Sequence, residues 1–238
     1  GRKTLMSNIL NKESVIEILR TVNDPELNRD LVSLNMIKDV VVENGNVSLS
    51  VVLTTPACPL KNQIKNDVKS AIEKLEGVAD IKINMEAVVP RDRAIEDKGN
   101  KSIKNIIAIS SGKGGVGKST VAVNIAVALS VAGSKVGLMD ADIYGPNIPT
   151  MMGLSSLPKP KGGKLIPAEA FGVKVISIGF LVKDGQPLIW RGPLLHSTIK
   201  QFIEDVDWGQ LDYLVVDLPP GTGDVQLSLS QHIPVTCG

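Results

Sequence analysis

Aromatic residues, cysteine and histidine are scarce in this chain. Its 238 residues include three Phe, two Trp, two Tyr, two Cys and two His. So few rings cannot build the stacking platforms on which single-stranded bases lie. Two cysteines, Cys58 and Cys237, do not make a disulfide framework, and no C-x-x-C pair occurs. A surplus of either charge is missing too. Lys and Arg number 26 against 25 Asp and Glu, a net charge of +1. No global field therefore draws the protein to nucleic acid or to an anionic membrane. Apolar runs of membrane-spanning length are absent, and no signal-peptide pattern opens the sequence. These absences predict a soluble protein of a reducing compartment, most simply the cytoplasm, with neither nucleic acid nor membrane as partner. Hydrophobic residues make up 43% of the chain and charged residues 21%, enough for one sizeable core or two smaller ones.

Glycine is not scarce where it matters. Gly112-Lys113-Gly114-Gly115-Val116-Gly117-Lys118-Ser119-Thr120 fits the phosphate-binding loop G-x-x-x-x-G-K-[ST]. Residues 103–109 before it are rich in β-branched side chains and read as a buried strand. After it, Val121, Ile125, Ala128 and Leu129 recur at helical spacing, and Gly133 is a suitable stop. Strand, loop and helix would surround a polyphosphate with backbone N–H groups and a helix N-terminus. In that arrangement Lys118 reaches the β- and γ-phosphates, and the Ser119 hydroxyl is a ligand for Mg²⁺. Nucleotide binding is the expected function, with ATP and Mg²⁺ as cofactors. Lys113 is not needed for the cradle; it is either a solvated charge at the loop edge or a residue with a separate task.

Two further strands carry carboxylates at their carboxyl ends, where open α/β sheets bind ligands. Residues 211–218 form one, ending in Asp217, the expected acidic partner of Mg²⁺. The turn that follows, Pro219-Pro220-Gly221-Thr222-Gly223-Asp224, is suited to sensing the γ-phosphate. Residues 135–139 form the other, followed by Asp140-Ala141-Asp142. Asp142 is the candidate for positioning the attacking water, with Asp140 nearer the metal and its waters. Capping of the next turn is the simpler role for either.

Residues 1–89 form a first unit. Residues 14–20 read as a helix with Val15, Ile18 and Leu19 on one face. Strands at 36–42 and 46–54 meet at the hairpin turn Asn44-Gly45. A helix at 60–75 carries Ile64, Val68, Ala71, Ile72 and Leu75, Gly77 stops it, and a strand follows at 78–88. This α-β-β-α-β order predicts a small α+β domain. Residues 90–102 are polar and charged and read as a linker. From 103 to 238, strands and helices alternate as in a doubly wound parallel sheet of an α/β protein. Residues 233–236 read as the start of another strand, so the domain is expected to be incomplete at its C-terminus.

The two lysines of the loop, Lys113 and Lys118, resemble the deviant form found in the MinD/ParA/nitrogenase-iron-protein class. That resemblance implies a homodimer in which Lys113 reaches the partner's nucleotide and stabilises developing charge. Residues 112–120, 140–149 (DADIYGPNIP), 190–193 (WRGP) and 208–226 (WGQLDYLVVDLPPGTGDVQ) are similar to the Mrp/ApbC family. It consists of P-loop ATPases that carry iron–sulfur clusters to target proteins. The first unit resembles the small iron–sulfur assembly domain often fused before them, through Asp24-Pro25-Glu26-Leu27 and Thr54-Thr55-Pro56-Ala57-Cys58-Pro59. The resemblance implies slow ATP hydrolysis, transfer of a [4Fe–4S] cluster, and apoprotein clients and assembly factors as partners. Its cluster ligands are a C-x-x-C pair shared across the dimer, expected here beyond residue 238. Cys58 stands before a helix, with Pro59 suited to its first turn; it is a candidate for transient metal contact or a small packing residue. Cys237, His196 and His232 have no evident partner, and Arg191 is left unassigned. A MinD/ParA-like spatial-organising ATPase is the alternative, and it would want an amphipathic or basic surface segment.

Overall fold

The computed structural model describes residues 10–92, 95, 102–143, 145–181, 199–221 and 235–237. The chain divides into two compact units, residues 1–89 and 90–238.

The first unit is built from local signals that agree with one another. Helix α1 (Lys12–Leu19) starts at Asn11, whose side chain accepts from the Ser14 N–H at 2.8 Å while the Ser14 hydroxyl accepts from the Asn11 N–H at 3.0 Å. This reciprocal box satisfies two donors that the first helical turn leaves open. Strands β1 (Ile37–Glu43) and β2 (Asn46–Leu53) pair antiparallel through Asn44 (φ 49°) and Gly45 (φ 84°), both left-handed as a tight hairpin requires. A Cβ on Gly45 would also meet the Gly77 carbonyl at 2.9 Å. Helix α2 (Lys61–Ile72) buries Ile64, Val68, Ala71 and Ile72, and β3 (Asp80–Ala87) returns parallel to β2. The sheet order is β1-β2-β3. Contrary to expectation, Pro59 stays outside α2, whose N-cap is Leu60. The Thr55 hydroxyl accepts the Ala57 N–H at 3.2 Å and the Cys58 carbonyl accepts the Lys61 N–H at 3.3 Å, so turns occupy those positions before the helix begins.

Among the described residues, the second unit holds a five-stranded sheet of order β4-β8-β5-β7-β6. Strands β4 (Ile103–Ile109), β8 (Leu211–Asp217), β5 (Val136–Asp140) and β7 (Val173–Ser177) are parallel, and the edge strand β6 (Ala168–Ala170) runs antiparallel to β7. Beyond β4, the Cys237 carbonyl accepts the Ala108 N–H at 2.9 Å, so residues 235–237 extend the sheet. Buried on both faces, the strands alternate between two cores, as the period of two dictates. Leu138 and Val215 join one core, Met139, Leu214 and Val216 the other.

Helix α3 (Lys118–Val131) packs on the first of these faces. Its deepest contacts are Ala122 and Ala126, with Ile125 and Leu129 of the expected face packed partly buried beside them, while Val121 is 49% exposed and Ala128 is exposed. The phosphate loop fixes the helix rotation, and small side chains let it lie close on the strands. Trp208 and Phe202 fill the other face. Gly137 on β5 makes this possible, since a Cβ there would stand 2.9 Å from the Trp208 ring and 2.7 Å from Leu211. Of the segment read as a linker, Asp92 donates its N–H to the Lys104 carbonyl at 3.0 Å, and Ile95 is buried in the Trp208 core. These residues therefore belong to the second unit's packing. No helix among the described residues is long and apolar enough to cross a membrane.

Candidate functional site

Strand register assembles the site. Ile109, Asp217, Asp140 and Ser177 are consecutive partners across β4, β8, β5 and β7, so both carboxylates and the serine lie in one row at the carboxyl edge. Ligands of open parallel sheets bind in the crevice outside this edge. Above it, the glycine loop leads from β4 into α3. Gly115 (φ 74°) and Gly117 (φ 89°) are left-handed, and nothing lies within 4 Å of where their Cβ atoms would be. Glycine is thus required by backbone conformation and leaves open space that a ligand can enter. Gly117 is the N-cap of α3 and, having no side chain, gives the helix no side-chain cap. The first-turn N–H groups and the positive end of the helix dipole are thereby free to meet an anion.

Lys118, at the first position of α3, turns back under the loop and is buried. Its Nζ lies 2.6 Å from Asp217 Oδ1, 3.3 Å from Asp142 Oδ2 and 3.4 Å from Ser119 Oγ. The Ser119 hydroxyl donates to Asp217 Oδ2 at 2.5 Å. One ammonium is therefore shared by two carboxylates, and both oxygens of the fully buried Asp217 are engaged. Buried ions persist only with partners of this kind. The structure thus brings together Lys118, Ser119, Asp142 and Asp217, four side chains singled out in the sequence. Lys113 is exposed, its carbonyl accepting the Ser111 hydroxyl at 3.0 Å.

Asp140 goes elsewhere. It is fully buried: Oδ1 accepts the Asp142 N–H at 3.2 Å, and Oδ2 accepts the Ile148 N–H at 3.3 Å and the Ser177 hydroxyl at 2.9 Å. This corrects the expectation of a place beside the metal. Asp140 holds both ends of the loop between β5 and the short helix α4 (Ile148–Met151). Burial pushes its carboxyl up to about 7; the Ser177 hydroxyl and the two N–H groups oppose the rise, and the nearby Asp217 charge adds to it.

The cleft over this edge has a volume of about 380 Å³. Its walls include the loop glycines 114, 115 and 117, Lys118, Ser119 and Asp142. Ser111, Thr120, Asn147, Thr150, Met151 and Pro220 complete them; sequence reading gave Asn147, Thr150 and Met151 no role of their own, whereas Pro220 lies in the turn expected to sense the γ-phosphate. Asn147 stood within a quoted motif; Ser177 had no local signal at all and is found only through its pairing with Asp140. Past β8, the Gly221 N–H donates to the Ser111 carbonyl at 2.8 Å, tying the Pro219-Pro220 turn to the loop. Thr222 to Asp224, Trp190 to Pro193, His196 and His232 lie outside the described residues.

Cys58 is partly buried and packs against the first unit's core, and Cys237 is exposed. Among the described residues, no group of three His, Cys, Asp or Glu side chains is placed to hold a metal ion.

Comparison with known proteins bears on both units. Residues 102–237 match the family described as NUBPL iron-transfer P-loop NTPase, and residues 12–85 match the family described as iron-sulfur cluster assembly protein. An iron-sulfur cluster carrier protein of Synechocystis is 52% identical over 95% of this chain and 66% of its own length. One from Deinococcus radiodurans is 50% identical over 94% and 64%. The chloroplastic Fe-S cluster assembly factor HCF101 of Arabidopsis thaliana is 42% identical over 94% of this chain and 43% of its own length. The chain thus spans just under two thirds of the carrier proteins it matches.

Proposed function

Since the chain belongs to the NUBPL iron-transfer P-loop NTPase family, we propose that it binds and slowly hydrolyses ATP with Mg²⁺ and carries iron–sulfur clusters, of the [4Fe–4S] type, to apoproteins. The observation that carries this reading is Lys118, held by Asp217 and Asp142 beneath an uncapped helix N-terminus. Relatives named as carriers support the cargo and favour it over a spatial-organising ATPase. A homodimer, apoprotein clients, assembly factors as partners and a cytoplasmic location belong to the same proposal.

The side chains present suit Mg²⁺. The Ser119 hydroxyl and the Asp217 carboxylate are adjacent hard oxygen donors beside the phosphate cradle, and Mg²⁺ uses few protein ligands, completing its shell with phosphate and water. When bound, Mg²⁺ would neutralise charge on the β- and γ-phosphates. In the cycle, Lys118 leaves Asp217 for the phosphate oxygens, and the loop N–H groups hold the triphosphate in place. Asp142 then orients the attacking water and accepts its proton. Lys113 of a second copy adds positive charge opposite the transferring phosphoryl group. The cargo is a different matter. The described residues hold no set of four cluster ligands of the kind a four-iron cluster takes, so no transfer step is assigned to them.

The test is anaerobic reconstitution of the full-length protein with iron and sulfide, followed by dialysis and counting. About four iron atoms retained per pair of chains is the expected result, and iron no higher than in a blank overturns the cargo. ATP turnover is measured in parallel. Lys113→Ala should spare nucleotide binding and stop turnover; unchanged hydrolysis removes its role in trans.

A further inference from the structure

Ser177 stands outside the cleft, yet it supports the loop that carries Asp142. Both Ser177 and Asp140 are fully buried, on adjacent strands and in register. The Ser177 oxygen accepts the Gly179 N–H at 2.9 Å, so its own hydrogen is free to go to Asp140 Oδ2, 2.9 Å away. Asp140 spends its remaining acceptor capacity on the N–H groups of Asp142 and Ile148, at the two ends of the loop. The middle of the same loop rests on the turn that Ser177 caps (Ile178–Phe180): a Cβ on Gly179 would stand 3.1 Å from Pro146. One hydroxyl thus underlies three supports of residues 141–148, whose inner side presents Asp142 to Lys118 and Asn147 to the cleft.

We propose that Ser177 is a positioning residue for nucleotide hydrolysis, acting through Asp140 to hold Asp142 where it addresses the attacking water. The role rests on the hydrolysis reading above. It follows from how steeply turnover depends on the placement of a catalytic group: a displacement near 1 Å is enough to lose about a hundredfold. Removing the hydroxyl leaves Asp140 Oδ2 with one donor in place of two and frees the Gly179 N–H, so the loop loses definition without losing its connection. The phosphate cradle lies on the other side of β8 and keeps its own contacts. Binding and turnover should therefore separate, with kcat falling while substrate affinity holds.

Four forms of the full-length protein distinguish this from a packing role: the parent, Ser177→Ala, Ser177→Thr and Ser177→Val. Threonine and valine have nearly the same shape and differ in the hydroxyl. Nucleotide affinity is measured by calorimetry, and turnover by phosphate release at saturating ATP-magnesium. Ser177→Ala is expected to bind ATP within about twofold of the parent and to lose roughly tenfold in kcat. Ser177→Thr should recover most of that rate and Ser177→Val none of it. Equal rates for threonine and valine, or an alanine variant as fast as the parent, overturn the positioning role. So does loss of nucleotide binding in both alanine and valine variants, which would make the hydroxyl structural. A parent that binds ATP and never turns it over defeats the hydrolysis reading itself, and this role with it.

Discussion

The core of the small unit and the carboxyl rim of the larger sheet treat polar groups in opposite ways. Among the described residues of the first unit the buried polar ones are Asp24 and Ser50, and each has a structural partner. Asp24 accepts the N–H groups of Glu26 and Leu27, both at 2.9 Å, to close a turn, and Ser50 donates to Glu86 at 3.1 Å. At the rim, Lys118, Asp140, Asp142, Ser177 and Asp217 are buried together and bond mostly to one another. Burying ions costs several kcal/mol each before pairing, and a fold does not need it for stability. Such clusters mark sites whose pKa values and geometry serve a ligand. The small unit is therefore read as a scaffold, and the rim as chemistry.

The comparison breaks first at Lys118. Lys118→Ala removes the cation shared by Asp217 and Asp142, together with the proposed phosphate contact. ATP affinity should fall at least about a thousandfold, some 4 kcal/mol, as read by calorimetry. Retained micromolar binding would mean that the rim is a structural ion cluster.

Proton linkage gives the next effect, on the order of 4 kcal/mol at most. Asp140 has its carboxyl raised from 3.8 to about 7 in the folded chain, so the folded state keeps a proton that the unfolded state releases. Stability of the nucleotide-free protein should decline as pH rises from about 4 to about 7, with no further loss from this group above that range. Urea denaturation across these values checks it, against Asp140→Asn as the variant that cannot ionise. Equal slopes for the two proteins would show that Asp140 does not drive the pH dependence.

In the small unit, Leu19→Ala empties a fully buried position of α1. It should cost about 3 kcal/mol of stability with ATP affinity unchanged. A parallel loss of nucleotide binding would contradict the reading of that core as scaffold alone.

How much of this was legible in the sequence follows the same division. The small unit was readable almost element by element because its signals are local: an Asn-Gly turn and apolar spacing at Ile64, Val68 and Ala71 agree with the final packing, although α2 ends at Ile72, before the expected stop at Gly77. The loop and its two carboxylate partners were readable because strand, glycine run and strand-end Asp are each short patterns. Asp140 was misplaced, since its neighbour Ser177 lies 37 residues away and meets it only through β5–β7 pairing. Gly137 likewise reads as an ordinary strand residue until Trp208 is seen resting on it. The buried face of α3 was read only in part: Ile125 and Leu129 pack on the core, but a helix tied to the loop is oriented by the loop, and Ala122 and Ala126 lie deeper than these larger side chains.

The smallest effect tests the small unit at its edge. Asn11 and Ser14 form the reciprocal cap of α1. Asn11→Ala removes the acceptor for the Ser14 N–H, which water replaces only in part because the helix is eight residues long and depends on its packed face and its cap. About 1 kcal/mol of stability should be lost, and it should appear as faster amide exchange in the first turn of α1. If caps and core are all that this unit contributes, Ser14→Ala and the double variant should cost about the same as Asn11→Ala, since either single change opens the box. A double variant that loses twice as much would show the two residues acting independently. The cap would then be two separate hydrogen bonds, and the argument from local agreement would weaken where it is easiest to measure.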